Sequence, residues 1–569
     1  MTSGPDQTVI RPRFGALLLS VLLLVTSGCA HRPPAAAIAS AHPAATQAGM
    51  EILAQGGNAF DAAVAVSAAL AVVEPYSSGL GGGGFWLLHR AQDGYQVMID
   101  GRERAPLAAM RDMYLDDSGE VAPGLSINGA LAAGIPGEPA ALAHIAGHYG
   151  RLPLAQSLAP AIGLARKGFA VDAVYQRLAG FRLAALQDDP ETAAIFLADG
   201  EVPPLGQDIV QPDLAATLEA LAQSGRAGFY AGPVARQLVD GVRQAGGIWS
   251  LDDLAQYTVI EREPVRGRFR DLRIVSAAPP SSGGTVLVTM LNILEDFSLE
   301  DTDAVTRTHL MVEAMRRAYR DRAQYLGDPD FGEIPVEELT DRAYARELRA
   351  SIRLDQATPS AALPAATPVT EGQDTTHFSI LDRDGNRVAA TLSINYPFGA
   401  CLTPPGTGVL LNDEMDDFSA KPGVPNVYGL VGAEANAIAP GKRPLSSMSP
   451  TFIEGADGVA ILGTPGGSRI ITMVLLAALD HAAGGLPESW VSLPRFHHQY
   501  LPDVIQYETN AFNDALIEGL VARGHRLKPL DSGYGNMQAV YWDIKNRRVH
   551  AASDPRGIGA AAVEAEKLR

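Results

Sequence analysis

Residues 375–395 constrain this chain more than any other stretch. Thr376 to Leu381 reads as a half-buried strand, Asp382-Arg383-Asp384-Gly385-Asn386 as a turn, and Arg387 to Ile394 as the returning strand. The pattern predicts a hairpin and by itself carries no chemistry. Chemistry enters with the residue that opens it, Thr375. A threonine hydroxyl is a weak nucleophile unless a base adjoins it, and a chain cut before Thr375 would put its own α-amino group there. Residues 354–373, just ahead, are rich in Pro, Ala and Thr and polar, a flexible surface segment where a self-cleaving linker would lie.

The 569 residues leave room for a large core and, on length alone, for about two to four domains. A hydrophobic content of 47% with 19% charged residues is that of a globular chain. The net charge of −19 argues against nucleic acid or anionic lipid as a partner of the body. The first 29 residues read as a targeting segment. Arg11 and Arg13 precede an apolar run, Phe14 to Val25, too short to span a bilayer as a mature helix. Thr26-Ser27-Gly28-Cys29 resembles a bacterial lipoprotein signal with Thr26 where Leu is usual, so Cys29 is the expected lipidation site. Ordinary signal cleavage nearby is the alternative. Either way the protein is exported to the bacterial periplasm or envelope, and one acylated Cys anchors without spanning. Ala30 to Ser40, rich in Ala and Pro, is expected to be a tether. Cys401 is the only other cysteine, which leaves no disulfide framework and no Cys-based metal site; it reads as a small apolar residue.

Helices are expected over Pro43 to Gln55 and Ala59 to Val73, with Gly56-Gly57 as the stop between them and Asn58 as the second cap. The second is apolar nearly all round and so buried. Gly79-Leu80-Gly81-Gly82-Gly83-Gly84 runs helix, glycines, strand, the reverse of a dinucleotide site; these glycines are expected to permit close backbone packing. Helices are also expected over Leu214 to Ala222, Pro233 to Ala245, Val286 to Glu295 and Ala304 to Leu326, and a strand at Ile274 to Ser276. Asp382-x-Asp384-Gly385-Asn386 lacks the spacing and closing Glu of a calcium loop. His497-His498 has no third ligand in view, so no metal is expected. Asp554-Pro555-Arg556-Gly557 reads as structural.

Five motifs follow one another in order: Asp374-Thr375-Thr376-His377-Phe378-Ser379, Asp384-Gly385-Asn386, Asn412 to Phe418, Pro444 to Pro450, and Pro465-Gly466-Gly467-Ser468-Arg469. Over about Ala41 to Gly557 the chain resembles the γ-glutamyltranspeptidase (glutathione hydrolase) family of N-terminal-nucleophile hydrolases. The resemblance implies an α+β fold, a four-layer αββα sandwich. One domain would be built from two chains: a large subunit, 41–374 behind the signal (1–29) and tether (30–40), and a small one, 375–569. It implies self-cleavage between Asp374 and Thr375, with Thr375 the nucleophile and Ser393 a supporting hydroxyl. Gly466 and Gly467 would form the oxyanion hole. Arg102, Ser446 and Ser447 would hold the substrate α-carboxylate, and Asn395, Glu414 and Asp417 its α-ammonium, as two opposed clamps. Pro422 to Gly432, with Tyr428, matches a lid found in some members.

The implied function is transfer of a γ-glutamyl group from glutathione or related compounds to water, or to amino acids and peptides, with no cofactor. Two alternatives differ in class. A glutaryl or cephalosporin acylase of the same family takes a substrate without an α-ammonium, which the retained Asn395, Glu414 and Asp417 argue against. A non-catalytic envelope lipoprotein would have no use for Thr375 and the glycine pair.

Overall fold

The computed structural model describes residues 1, 2, 4, 32–363, 375–421 and 432–565; Cys29, Asp374 and Tyr428, with positions 422–431 of the lid span, lie outside the described residues. The hairpin is present: Thr376–Leu381 pairs antiparallel with Arg387–Ser393. Asp382 closes it. Its Oδ1 accepts the backbone N–H groups of Asp384 and Asn386, each at 2.9 Å, and Gly385 supplies the positive φ of 91° that the turn requires. Its Oδ2 accepts the N–H of Ala59 at 2.9 Å, tying the turn to the start of the helix Ala59–Val73.

The hairpin lies in the middle of a seven-stranded antiparallel sheet. Ala37–Ser40 flanks it on one side and Gly83–Arg90 on the other; Tyr95–Gly101 and Ile260–Arg262 extend the sheet one way and Ala560–Val563 closes the opposite edge. A six-stranded antiparallel sheet faces it, ordered Arg548–Ser553, Gln538–Asp543, Gly458–Gly463, Thr451–Glu454, Leu272–Ser276 and Val265–Phe269. Strand periodicity sorts the side chains. Phe378 and Ile380 join Trp86, Leu88 and Ile99 against a helical layer that includes Ala59–Val73 and Glu138–His148. Leu381 joins Ala37, Ala39, Phe85, Leu87 and Met98 in a core shared with Val275, Phe452, Ile461 and Val540 of the second sheet. Ser379 Oγ donates to Gln538 O at 3.0 Å, and Arg387 Nη1 to Glu454 Oε1 at 2.8 Å, between the sheets. The helices Gly283–Leu294, Ala304–Tyr325 and Ile470–Ala482 complete the second core.

Two expectations are corrected. The strand Thr376–Leu381 is buried on both faces rather than half-buried, because helices cover one side and a sheet the other. The Ala30 to Ser40 stretch is not a tether to its end. Ala37–Ser40 is a fully buried strand bonded to Thr376–Leu381 and Ala560–Val563; alanine is a weak strand former, and the neighbouring strands decide the outcome. The helix Ala59–Val73 is buried at every position, and Asn58 caps it in a reciprocal box with Asp61. The glycine run does serve close packing: a Cβ on Gly81, Gly82 or Gly84 would strike the backbone oxygen of Leu410, Ser393 or Thr391 respectively.

Glu138, first residue of the helix behind this crossing, is fully buried, and neither carboxyl oxygen has a hydrogen-bond partner. Burial raises it to about 8. An acid raised in the folded state favours folding at low pH, and that contribution is lost as pH climbs from about 4.5 to about 8. Glu138→Gln removes the titration, so the variant is expected to gain on the wild type over that window by an amount on the order of a few kcal/mol, with no further gain above it. Melting curves of both proteins at pH 5 and pH 8.5 check this; a gap that does not widen with pH would show that Glu138 is not the titrating group.

Candidate active site

Strand register builds the centre of the site. Leu392 pairs with Thr376, so the next position along sets Ser393 opposite Thr375, and Ser393 faces Gly83 on its other side. Both side chains are buried. Ser393 Oγ accepts the N–H of Asn395 at 2.8 Å. Asn395 takes a φ of 75°, a left-handed conformation that asparagine tolerates, and its amide donates to Asp413 O at 3.1 Å. Thr376 Oγ1 donates to Glu74 Oε2 at 2.7 Å; burial lifts Glu74 to about 7 against that hydrogen bond.

The acidic turn Glu414–Asp417 is held from behind. Asn412 donates to the carbonyls of Gly81 and Gly134 at 2.6 and 2.8 Å and accepts the N–H of Glu414 at 2.9 Å. Asn436 Nδ2 donates to Asp417 O at 2.7 Å while its Oδ1 accepts the N–H of Leu445 at 3.0 Å, linking the acidic turn to the serine loop. Arg102 is fully buried and pairs directly with Glu414 and Asp417, with Glu103 Oε2 at 3.5 Å. The two residue sets expected as opposed clamps are therefore in contact. Burial opposes the Arg102 charge, but Glu414, Asp417 and Glu103 outweigh it and raise the guanidinium pKa. Burial also pushes Glu103, Glu414 and Asp417 upward, with Arg102 pulling each back. The cluster holds more acid than one guanidinium neutralises.

Ser446 and Ser447 lie on a loop fixed by the bond from Ser446 N to Pro280 O at 2.8 Å and by Ser282, whose N–H and Oγ both donate to Ser446 O, at 2.8 and 2.7 Å. The expected residues Thr375, Ser393, Asn395, Glu414, Asp417, Ser446, Ser447 and Gly467 line one narrow cleft. Arg322, from the last turn of Ala304–Tyr325, lines it too, and the sequence reading missed it. The cue was weak: Arg316, Arg317, Arg320 and Arg322 crowd one helix, and nothing in the sequence says which of them faces the cleft.

Gly466 and Gly467 follow the strand Gly458–Gly463 and lead into a helical turn, Gly467–Arg469, and the helix Ile470–Ala482. Their φ values of 137° and 55° are ones L side chains rarely adopt, and their N–H groups sit at the positive end of a helix. Thr375 and Gly466 also line a second cavity of about 270 Å³, together with Glu74, Arg177, Phe181, Tyr396 and Asn536. Arg556 borders it but is occupied by Glu508 at 2.7 Å, in keeping with a structural role. His497 and His498 bond to Thr472, Gln499 and Asp503. Among the described residues His309, Glu313 and His525 bring possible ligand atoms within 4.8 Å of one another; Glu313 already carries Arg316 and Arg317, and His309 bonds His525 at 2.7 Å. Cys401 is buried, which pushes its thiol up to about 11.

Facing sheets between helical layers, with a threonine at the head of a central strand, define the N-terminal-nucleophile hydrolase class. Sequence comparison narrows the class. The family described as Gamma-glutamyltranspeptidase matches residues 45–564. A glutathione hydrolase proenzyme of Escherichia coli (strain K12) is 43% identical over 531 residues, 92% of this chain and 90% of the relative. An acylase ACY 1 proenzyme of Pseudomonas sp. (strain V22) is 38% identical over 515 residues, 88% of each. The crystal structure of a cephalosporin acylase from Bacillus halodurans superposes with a TM-score of 0.81 at 27% identity, covering 99% of both chains. This chain belongs to the γ-glutamyltranspeptidase family.

Proposed function

We propose that the protein cleaves itself before Thr375 and then transfers γ-glutamyl groups from glutathione or related compounds to water or to amino acids and peptides. The observation that carries this reading is the charge layout of the cleft. Glu414 and Asp417 bring surplus acid to it, and Arg322, held by the hydroxyls of Ser282 and Ser447, brings a cation. Such a cleft suits the ammonium and carboxylate of an amino acid; a glutaryl group supplies only the carboxylate. An ammonium arriving on the acidic pair would loosen its hold on Arg102 and let that guanidinium turn to the carboxylate beside Ser446 and Ser447.

In the reaction Thr375 Oγ attacks the γ-carbonyl carbon and passes its proton to the new α-amino group. The Gly466 and Gly467 N–H groups meet the developing oxyanion. The tetrahedral intermediate collapses to a Thr375 ester as the departing amine takes the proton back. Water or an acceptor amine then attacks the ester and returns the Thr375 hydroxyl. The 270 Å³ cavity that Thr375 also lines suits the departing and arriving amine. After cleavage residues 41–374 and 375–569 would stay one domain, because Gly83–Arg90 pairs with Arg387–Ser393 of the Thr375 hairpin. The test is incubation with glutathione, reading free glutamate and cysteinylglycine, and a γ-glutamyl peptide when glycylglycine is added. Turnover of a glutaryl anilide with no release from glutathione would overturn the reading in favour of the acylase.

We also propose export and anchoring through an acylated Cys29. Among the described residues no helix is long and apolar enough to cross a membrane. Cys29→Ser is expected to move the protein from the detergent phase to the soluble fraction. Wild type already soluble and unacylated by intact mass would favour ordinary signal cleavage.

A further inference from the structure

The arginines of the helix Ala304–Tyr325 differ in what they touch. Arg316 pairs with Glu313 and Asp503, Arg317 with Glu313, and Arg320 with Asp321 at 2.7 Å. Arg322 pairs with no carboxylate among the described residues. Its Nε donates to Ser282 Oγ at 2.9 Å and its Nη2 to Ser447 Oγ at 3.1 Å, and the side chain is 4% exposed. A buried cation bonded only to hydroxyls is costly, because hydroxyl dipoles replace its hydration without cancelling its charge. Desolvation accordingly lowers Arg322 to about 10, with the Asp417 charge, which makes no ion pair with it, pulling only partly back. Arg102, which meets the cleft's acids, already carries Glu414 and Asp417.

We infer that Arg322 is a specificity-determining residue, the cation that first receives the α-carboxylate of the acyl donor beside Ser447. The inference rests on the γ-glutamyl reading for its substrate but requires only that the donor carry a carboxylate at that end. Binding there gives Arg322 its missing anion and breaks no existing ion pair, whereas Arg102 must first be released from its acids. Ser282, which holds Arg322 Nε and anchors the serine loop through Ser446 O, orients the fork.

The test compares kcat/KM for paired anilides that differ only in the carboxylate: γ-glutamyl against 4-aminobutyryl, and glutaryl against butyryl. Arg322→Gln is expected to lower the rate on the carboxylate member of a pair by about 30-fold or more and to leave the other member within a few-fold, so that the preference collapses. Arg322→Lys is expected to recover part of it. Self-cleavage into two chains reports that each variant has folded. Should Arg322→Gln fail to cleave, Ser282→Ala is read instead, with a smaller loss of the same sign. A preference that survives in Arg322→Gln, or equal losses on both members, overturns the inference, the first pointing to Arg102 alone and the second to a structural role. A wild type active on glutaryl but not γ-glutamyl anilides would overturn the proposed function while leaving the Arg322 comparison intact on the second pair.

Discussion

Thr375→Ala is expected to remain a single uncut chain and to lose turnover by at least about 10⁴-fold, the scale on which removal of a catalytic nucleophile acts. Both losses follow from one atom. Without Oγ nothing attacks the carbonyl of Asp374, so no new α-amino group is released. Without Oγ or that amine the γ-carbonyl meets neither nucleophile nor base. The fold should survive, because the side chain lost is small and the hairpin is held by ladder bonds from Thr376 onward. Intact-mass analysis and a denaturing gel check cleavage, and release of glutamate from glutathione checks activity. Wild type found uncut, or a Thr375→Ala chain cut at the same bond, would remove Thr375 from the mechanism. Residual activity near the wild-type level would do the same.

The hairpin was legible because alternation and turn chemistry are local: Asp382, Gly385 and Asn386 act within five residues. The capping box at Asn58 was legible for the same reason. Ala37–Ser40 was not, since a four-residue segment with a single β-branched residue, Ile38, takes its strand from partners in distant parts of the chain, near residues 380 and 560. The site divides likewise. Motifs named the cleft residues on the acidic turn, the serine loop and the glycine turn, and the fold brings them together. Motifs could not say how the charges would be shared. That Arg102 meets Glu414 and Asp417, rather than standing across from them, depends on how the fold packs the acidic turn against one guanidinium. Arg322 was hidden for a complementary reason: its distinguishing property is burial without an acidic partner among the described residues, which only the surroundings of the helix reveal.

Wild type is expected to prefer a γ-glutamyl anilide to the matched glutaryl anilide by about 30-fold to several thousand-fold in kcat/KM, because an uncompensated member of a buried charged pair typically costs about 2–5 kcal/mol. The surplus acid around Arg102 is the source of that preference. Burial already pushes Glu414 and Asp417 upward, so adding a cation relieves them, and a glutaryl group brings none. Asp417→Ala leaves Arg102 facing Glu414 and Glu103, of which burial pushes Glu103 well up toward its neutral form. The surplus then disappears, and with it the reason to demand an ammonium. The variant is expected to lose most of the preference by slowing on γ-glutamyl substrates while changing less on glutaryl ones. Self-cleavage should persist, since the acidic turn takes no part in it, and so serves as the control for folding. The measurement is kcat/KM for both anilides with both proteins. Equal wild-type rates on the two substrates would mean that the acids only hold Arg102 in place, and the chemistry of the cleft would then be that of an acylase reading a single carboxylate.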